Sequence, residues 1–290
     1  MQTCKHGYLP FLAVLAIATA LLLAGCPQQG GAAPSRDYFI EVHMEPAYAN
    51  STMFDALTRL VGLADSRGIR LTLLFTPQWA EMISADANKS ALLAKWNSEG
   101  HEIGAHHHGA LSGCGGWDGY TDLDPNGDEF KSLMNSVPCP SFEIKRQYIG
   151  NMSSYMAVMS KIGNIHTMTT NTADFDWPEG VLYSGGGQYL EEALSLPTKV
   201  AYNGHTVYKL SSAPLLGARP AMMPATQKLI TLQDLEAKYV SSKPGAFGVV
   251  MHVHDYADNP DQYAQLFDFL RSQKNGTSKT ISQMAGNHQD

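Results

Sequence analysis

The chain has 290 residues, of which 44% are hydrophobic and 16% charged, with a formal net charge of −7 and 11 histidines. That composition lies far from the low-hydrophobicity, high-charge range of disordered chains, so a packed core is expected, in one large domain or two small ones. The acidic balance leaves no basic footprint for nucleic acid.

At the start, Lys5 and His6 form a weakly polar head before an apolar run from Phe11 to Leu23, which closes on Leu23-Ala24-Gly25-Cys26. A run of this length with small residues at its end reads as a signal-peptide core rather than a spanning helix. The quartet resembles the bacterial lipobox, in which the cysteine becomes the lipidated first residue of the mature chain. On that reading residues 1–25 are a lipoprotein signal peptide, Cys26 is the lipidation site, and 26–36 is a Gly/Pro/Gln-rich tether. The remaining domain, 37–290, then sits at the bacterial cell envelope, facing the periplasm or exterior, and meets the membrane through its lipid alone. An ordinary signal peptide with an incidental cysteine, or a short membrane anchor, is the plainer alternative. Cys114 and Cys139 are the two cysteines left, and outside the cytoplasm they read as one disulfide, the alternative being two reduced thiols.

Asp37 to Val42 is a short aromatic and β-branched run, expected as a strand. Asn50-Ser51 can cap a helix through Met53, Phe54, Leu57, Leu60, Val61 and Ala64, closed by Gly68. Ile69 to Phe75 reads as a second strand, Pro77 opens a helix through Met82, Ser90 to Asn97 continues helical, and His101 to His106 is a third strand. This alternation is the signature of parallel β/α units. It returns near the end, with a helix from Thr231, a continuous apolar strand from Ala246 to His252 running on to His254, and a helix opened by Asn259-Pro260. Gly109 to Gly187 is Gly-rich with weak periodicity, so loops dominate there, including a disulfide-clipped insertion around 109–140.

In parallel β/α folds function gathers at the C-terminal edge of the strands. Three strand ends carry candidate ligands: His43 and Glu45, His106 and His108, and His252 and His254. Residues two apart in an extended segment share a face, so each pair points one way. Imidazoles and a carboxylate converging on one mouth suit zinc or a similar divalent ion. Taken singly, a histidine at a strand end is a solvated loop residue, and three in a row can be a surface tract that binds metal adventitiously.

The stretch from Arg70 to Glu81 (RLTLLFTPQWAE), followed by Gly100-His101-Glu102-Ile103-Gly104-Ala105-His106, resembles the polysaccharide deacetylase domain (NodB homology, carbohydrate esterase family 4), in which a strand such as ATFFVTGQWAE precedes GHEIGNH. Gly248-Val249-Val250-Met251-His252 is similar to that family's closing Leu-His motif. The resemblance runs from Tyr38 to about Ser282, with the middle poorly matched. It implies an α/β fold, a distorted parallel β/α barrel, and a metal-dependent hydrolase that removes acyl groups from an acetylated glycan. His106 matches the first metal histidine and His252 the closing acid.

The departures are specific. The family's second metal histidine falls at Ala110, its Asp-Asp pair falls at His43-Met44, and Arg146 is the one candidate for its arginine motif. Either the site is rebuilt, with Glu45, His106 and His108 as metal ligands and His43, His252 and His254 handling protons, or the chain is a catalytically inactive glycan-binding lipoprotein. A metal-handling surface protein is a third reading.

Two further features stay open. Asp122, Asp124, Asn126 and Asp128, with Gly127, resemble the first half of a calcium loop, although Leu133 stands where the closing glutamate belongs; the plainer reading is an acidic turn capping a helix. Trp117, Tyr120, Trp177 and Tyr183 are either a sugar-stacking platform or core.

Overall fold

Alternation along one strand sets the geography of the molecule. In β1 (Tyr38–Met44), Ile40, Val42 and Met44 enter the main apolar core, while Phe39, Glu41 and His43 face the other side. In this computed structural model, residues 36–110, 116–136, 147–170, 175–217, 228–241, 245–274 and 276–286 are described. Cys26, Cys114, Cys139 and Arg146 lie outside the described residues, as do the signal segment and nearly all of the tether.

Asn50 caps α1 (Ser51–Asp65), its side chain accepting from the Met53 N–H at 3.0 Å. The helix buries Phe54, Leu57, Leu60, Val61 and Ala64 against the sheet, and each of its larger apolar side chains contributes about 1.5–3 kcal/mol by leaving water. Gly68, at φ 69°, makes the left-handed turn that stops it. Then come β2 (Leu71–Phe75), α2 (Pro77–Ser84), α3 (Ala87–Ser98) and β3 (Glu102–His107). The second helical piece starts three residues before the expected Ser90, because Asp86 caps it by accepting from the Asn88 and Lys89 N–H groups.

The Gly-rich middle holds α4 (Asp128–Ser136), α5 (Met152–Met159), β4 (Met168–Thr170) and β5 (Tyr183–Ser184). It leads into β6 (Leu194–Ser195), β7 (Thr198–Tyr202), β8 (His205–Lys209) and β9 (Ala213–Pro214). The chain closes with α6 (Leu232–Ser241), β10 (Ala246–His252), α7 (Val253–Asp258), α8 (Pro260–Ser272), β11 (Ser278–Lys279) and α9 (Ile281–Gly286).

Among the described residues the main sheet runs β4-β3-β2-β1-β10-β6, with β11 joined to β1 and β9 to β10. Every pairing is parallel except that of β6. This is the expected α/β architecture, a distorted parallel barrel, realised as a curled sheet that stays open. A second sheet, β5-β8-β7, stands beside it. Parallel pairing brings the C-terminal ends of β1, β3, β4 and β10 to one edge, with His43 opposite His252 and His106 opposite Thr169.

One expectation fails at that edge. The strand does not run on to His254: it ends at His252, and the chain turns into α7. Asp255 in the first turn of that helix favours the turn, since a carboxylate there meets the positive end of the helix dipole. His252 and His254 therefore do not share a strand face. The aromatic platform fails too. Trp117, Tyr120 and Trp177 are buried, with both indole N–H groups donating to backbone carbonyls, of Tyr120 and Val181 respectively. They are core, and Tyr183 is half-buried.

Candidate metal centre

Glu45 follows β1 directly, and its carboxylate is the meeting point of three imidazoles. Its Oε1 lies 3.4 Å from His106 Nε2 and 3.3 Å from His252 Nε2, and its Oε2 lies 3.1 Å from His108 Nε2. The two Nε2 atoms of His106 and His108 are 2.7 Å apart. His43 completes the group, its ring centroid 4.1 Å from that of His106 and 5.5 Å from that of His252. His43, Glu45 and His106 each offer a ligand atom with all three inside 4.8 Å, and His252, His254 and Asp255 do the same.

The supporting bonds explain why the Nε2 atoms face inward. His106 Nδ1 lies 2.9 Å from Thr169 Oγ1 on the neighbouring strand, and His252 Nδ1 lies 3.1 Å from Asp255 Oδ2. Holding one ring nitrogen fixes the tautomer and aims the other. His108 is set through its backbone, whose N–H donates to Asp118 Oδ2 at 3.0 Å. The buried Trp79 indole N–H donates to the Glu45 carbonyl at 2.9 Å and pins that residue from below.

Burial pulls the His106 imidazole down to about 3, helped by its neighbours His43 and His108, so it is neutral and able to ligate. His43 is likewise held well below its ordinary value by burial and by His252. Burial works against ionisation of Glu45, yet His108 and His106 outweigh it and hold the carboxyl well below the usual range. His108 moves the other way: burial lowers it, but Glu45 and Asp118 dominate and raise it. Four imidazoles gathered around the ionised Glu45 carboxylate, with two ring nitrogens 2.7 Å apart, are a donor set that fits a divalent cation.

Sequence reasoning missed the carboxylate beneath. Glu41 is fully buried, accepts from the Ser212 hydroxyl and from the Gly186 N–H at 2.9 Å, and stands 3.3 Å from His43 Nε2. Burial pushes it up to about 7. The available signal was a charge inside the otherwise apolar β1 run, on the same face as His43. The glycine run beside it also has a reason. A Cβ on Gly185 would stand 2.3 Å from Glu41 Oε2, and one on Gly187 would stand 1.9 Å from the Ser212 carbonyl oxygen.

His43, Glu45, His106, His108 and His252 line one cavity of about 440 Å³, walled by Thr169, Thr170, Gly185 to Glu192 in part, and Lys209. His254 is not among its lining. Its ring stacks on Tyr48 at 4.2 Å, and its Nδ1 is buried without a partner among the described residues. The acidic loop lies outside this cavity, and two of its carboxylates accept backbone hydrogen bonds. Asp122 accepts from the Met152 and Asp176 N–H groups, and Asp124 from that of Asn126. Asp128 begins α4.

No family model and no curated protein matches the sequence. Solved structures do match. A protein assigned as a polysaccharide deacetylase from Mycobacterium smegmatis aligns over 90% of this chain and 93% of its own, at a TM-score of 0.54 and 11% identity. The chain shares its fold with a polysaccharide deacetylase. A 4-alpha-glucanotransferase from Thermococcus litoralis aligns over 88% of this chain and 41% of its own, at 0.50 and 10%. No described helix is long and apolar enough to cross a membrane.

Proposed function

We propose that this protein is a metal-dependent deacetylase acting on an extracellular or cell-envelope polysaccharide, tethered to the membrane by lipid on Cys26. The observation that carries the reading is the convergence of His106, His108 and His252 Nε2 on the Glu45 carboxylate at 3.1–3.4 Å. Glu45, His106 and His108 are the residues that would hold a divalent ion, with zinc the natural choice for a nitrogen-rich set. When bound, such an ion supplies a Lewis acid for the acyl carbonyl and a means of activating water.

The rest falls to the chain itself. His43, kept neutral by burial, can take a proton from the attacking water. His252 can donate to the departing nitrogen or oxygen, and Asp255 at 3.1 Å orients its ring. The pocket wall from Gly185 to Gln188 brings backbone close to the reacting group, and the 440 Å³ cavity suits one sugar ring with its acyl substituent. His254, outside the cavity, supports His252 from a ring distance of 5.1 Å.

The test is acetate release from acetylated sugar oligomers by the purified protein, before and after chelation and after adding Zn²⁺, Co²⁺ or Mn²⁺. Release that is abolished by chelator and restored by metal is expected. Ala110, standing where the resemblance expects a second metal histidine, favours the other reading, an inactive glycan-binding protein. That reading predicts saturable oligosaccharide binding with no release under any metal.

A further inference from the structure

Lys209 is the only lysine or arginine lining the cavity over Glu45, among the described residues. It ends β8, in register with Ser184, the residue before the Gly185–Gly187 wall. It is half-buried, yet among the described residues its ammonium makes no ion pair. Lysine ion pairs elsewhere include those of Lys89, Lys95, Lys228 and Lys279. Of the two carboxylates that share the cavity, Glu45 faces the imidazoles and Glu192 accepts through Oε2 from the backbone N–H groups of Gln188 and Tyr189, and neither pairs with Lys209. Removing an ammonium partly from water without a counter-charge is unfavourable unless an anion arrives to pair with it.

We infer that Lys209 is a specificity-determining residue that binds a carboxylate carried by the acylated sugar or by its neighbour, so that the preferred substrate is an acidic glycan built from uronic acids or carboxyalkyl-substituted sugars. A lysine suits this task as a compact point charge that tolerates several approach directions. The inference rests on the deacetylase reading for its kinetics, but its binding readout is independent of catalysis.

The experiment uses the full-length protein, Lys209→Met and Lys209→Glu, with metal content measured to show that the centre is unchanged. Unacetylated oligouronate and a neutral oligosaccharide of equal length are titrated by calorimetry, and kcat/KM is then measured on acetylated versions of both. A hydrogen-bonded charge contact predicts that Lys209→Met weakens oligouronate binding and lowers kcat/KM on its acetylated form by about 10- to 100-fold. Lys209→Glu is expected to cost more, and the neutral ligand should stay within about twofold of wild type. Equal loss on both ligands, or loss on neither, overturns the inference. A Lys209-dependent preference for phosphorylated or sulfated oligomers over oligouronate overturns the carboxylate assignment. Lys209-dependent oligouronate binding without acetate release from any substrate supports Lys209 and sinks the deacetylase reading. Acetate release indifferent to Lys209 does the reverse.

Discussion

The two ends of β3 hold buried histidines in opposite circumstances. At the start, His101 has one partner for each nitrogen: Nδ1 accepts from the Leu71 N–H at 3.0 Å, and Nε2 lies 3.1 Å from Asp65 Oδ1. At the finish, His106 and His108 crowd with His252 and His43 around Glu45. A larger cavity, about 890 Å³, opens beside His101, but the carboxylate that borders it is spent. Glu102 accepts from Thr72, Thr167 and Ser282. A histidine whose nitrogens are all matched holds the fold together. A group with more ring nitrogens than protons and carboxylates to share is arranged for a cation. His107 lies between the two cases, with Nδ1 paired and Nε2 buried without a partner among the described residues. One residue from His106, it faces the opposite side of the strand and pairs with the buried Asp118 at 2.8 Å.

The contrast can be broken by substitution at either end. Largest, His106→Ala is expected to abolish stoichiometric metal binding and to cost activity beyond the 10–100-fold typical of losing an outer partner of a metal ligand. Elemental analysis and acetate assay check both. His101→Ala should do the opposite, costing roughly 2–4 kcal/mol of stability through the unpaired Leu71 N–H and the lost packing, with metal content untouched. Denaturant unfolding beside metal analysis separates the two, and loss of metal there would erase the distinction. Asp255→Ala should lower activity or metal affinity about 10- to 100-fold while the fold stays intact, because it frees the His252 ring.

Smaller effects come from the support and the protons. Trp79→Phe removes the bond to the Glu45 carbonyl and should cost about 1 kcal/mol, plus a measurable fall in metal affinity. In chelated protein the Glu45–His108 pair has a defined pH window. Glu45, lowered from 4.5, contributes stability above that value and loses it as pH falls through its folded pKa. His108, raised from 6.5, contributes fully below that value and loses it as pH rises through its folded pKa. The melting-temperature difference between wild type and His108→Ala should therefore be greatest between about pH 4.5 and 6.5 and shrink on both sides. A flat difference would separate the two groups.

Much of this is legible in the sequence. The β1, β2, β3 and β10 runs are continuous or alternating apolar segments with capped helices between them, and their C-terminal ends named Glu45, His106, His108, His43 and His252 directly. What escaped depends on tertiary context. The end of the strand at His252 is not legible, because a strand and a helix start are indistinguishable over Val253-His254-Asp255 until Asp255 is seen in the first turn. Thr169 stands on a three-residue strand with no periodicity to read. Trp117, Tyr120 and Trp177 look identical in sequence whether they stack on sugars or fill a core. Lys209 is one charge in a region of weak pattern, and only the cavity gives it meaning.

The decisive property of the site is whether Glu45 and its imidazoles hold an ion. Elemental analysis of purified protein after incubation with Zn²⁺ and desalting should find about one divalent ion per chain, as the single set of Glu45, His106 and His108 allows. The ion should be absent from Glu45→Ala and retained in His101→Ala. No bound ion in the wild type, or an ion that survives Glu45→Ala, would contradict the account.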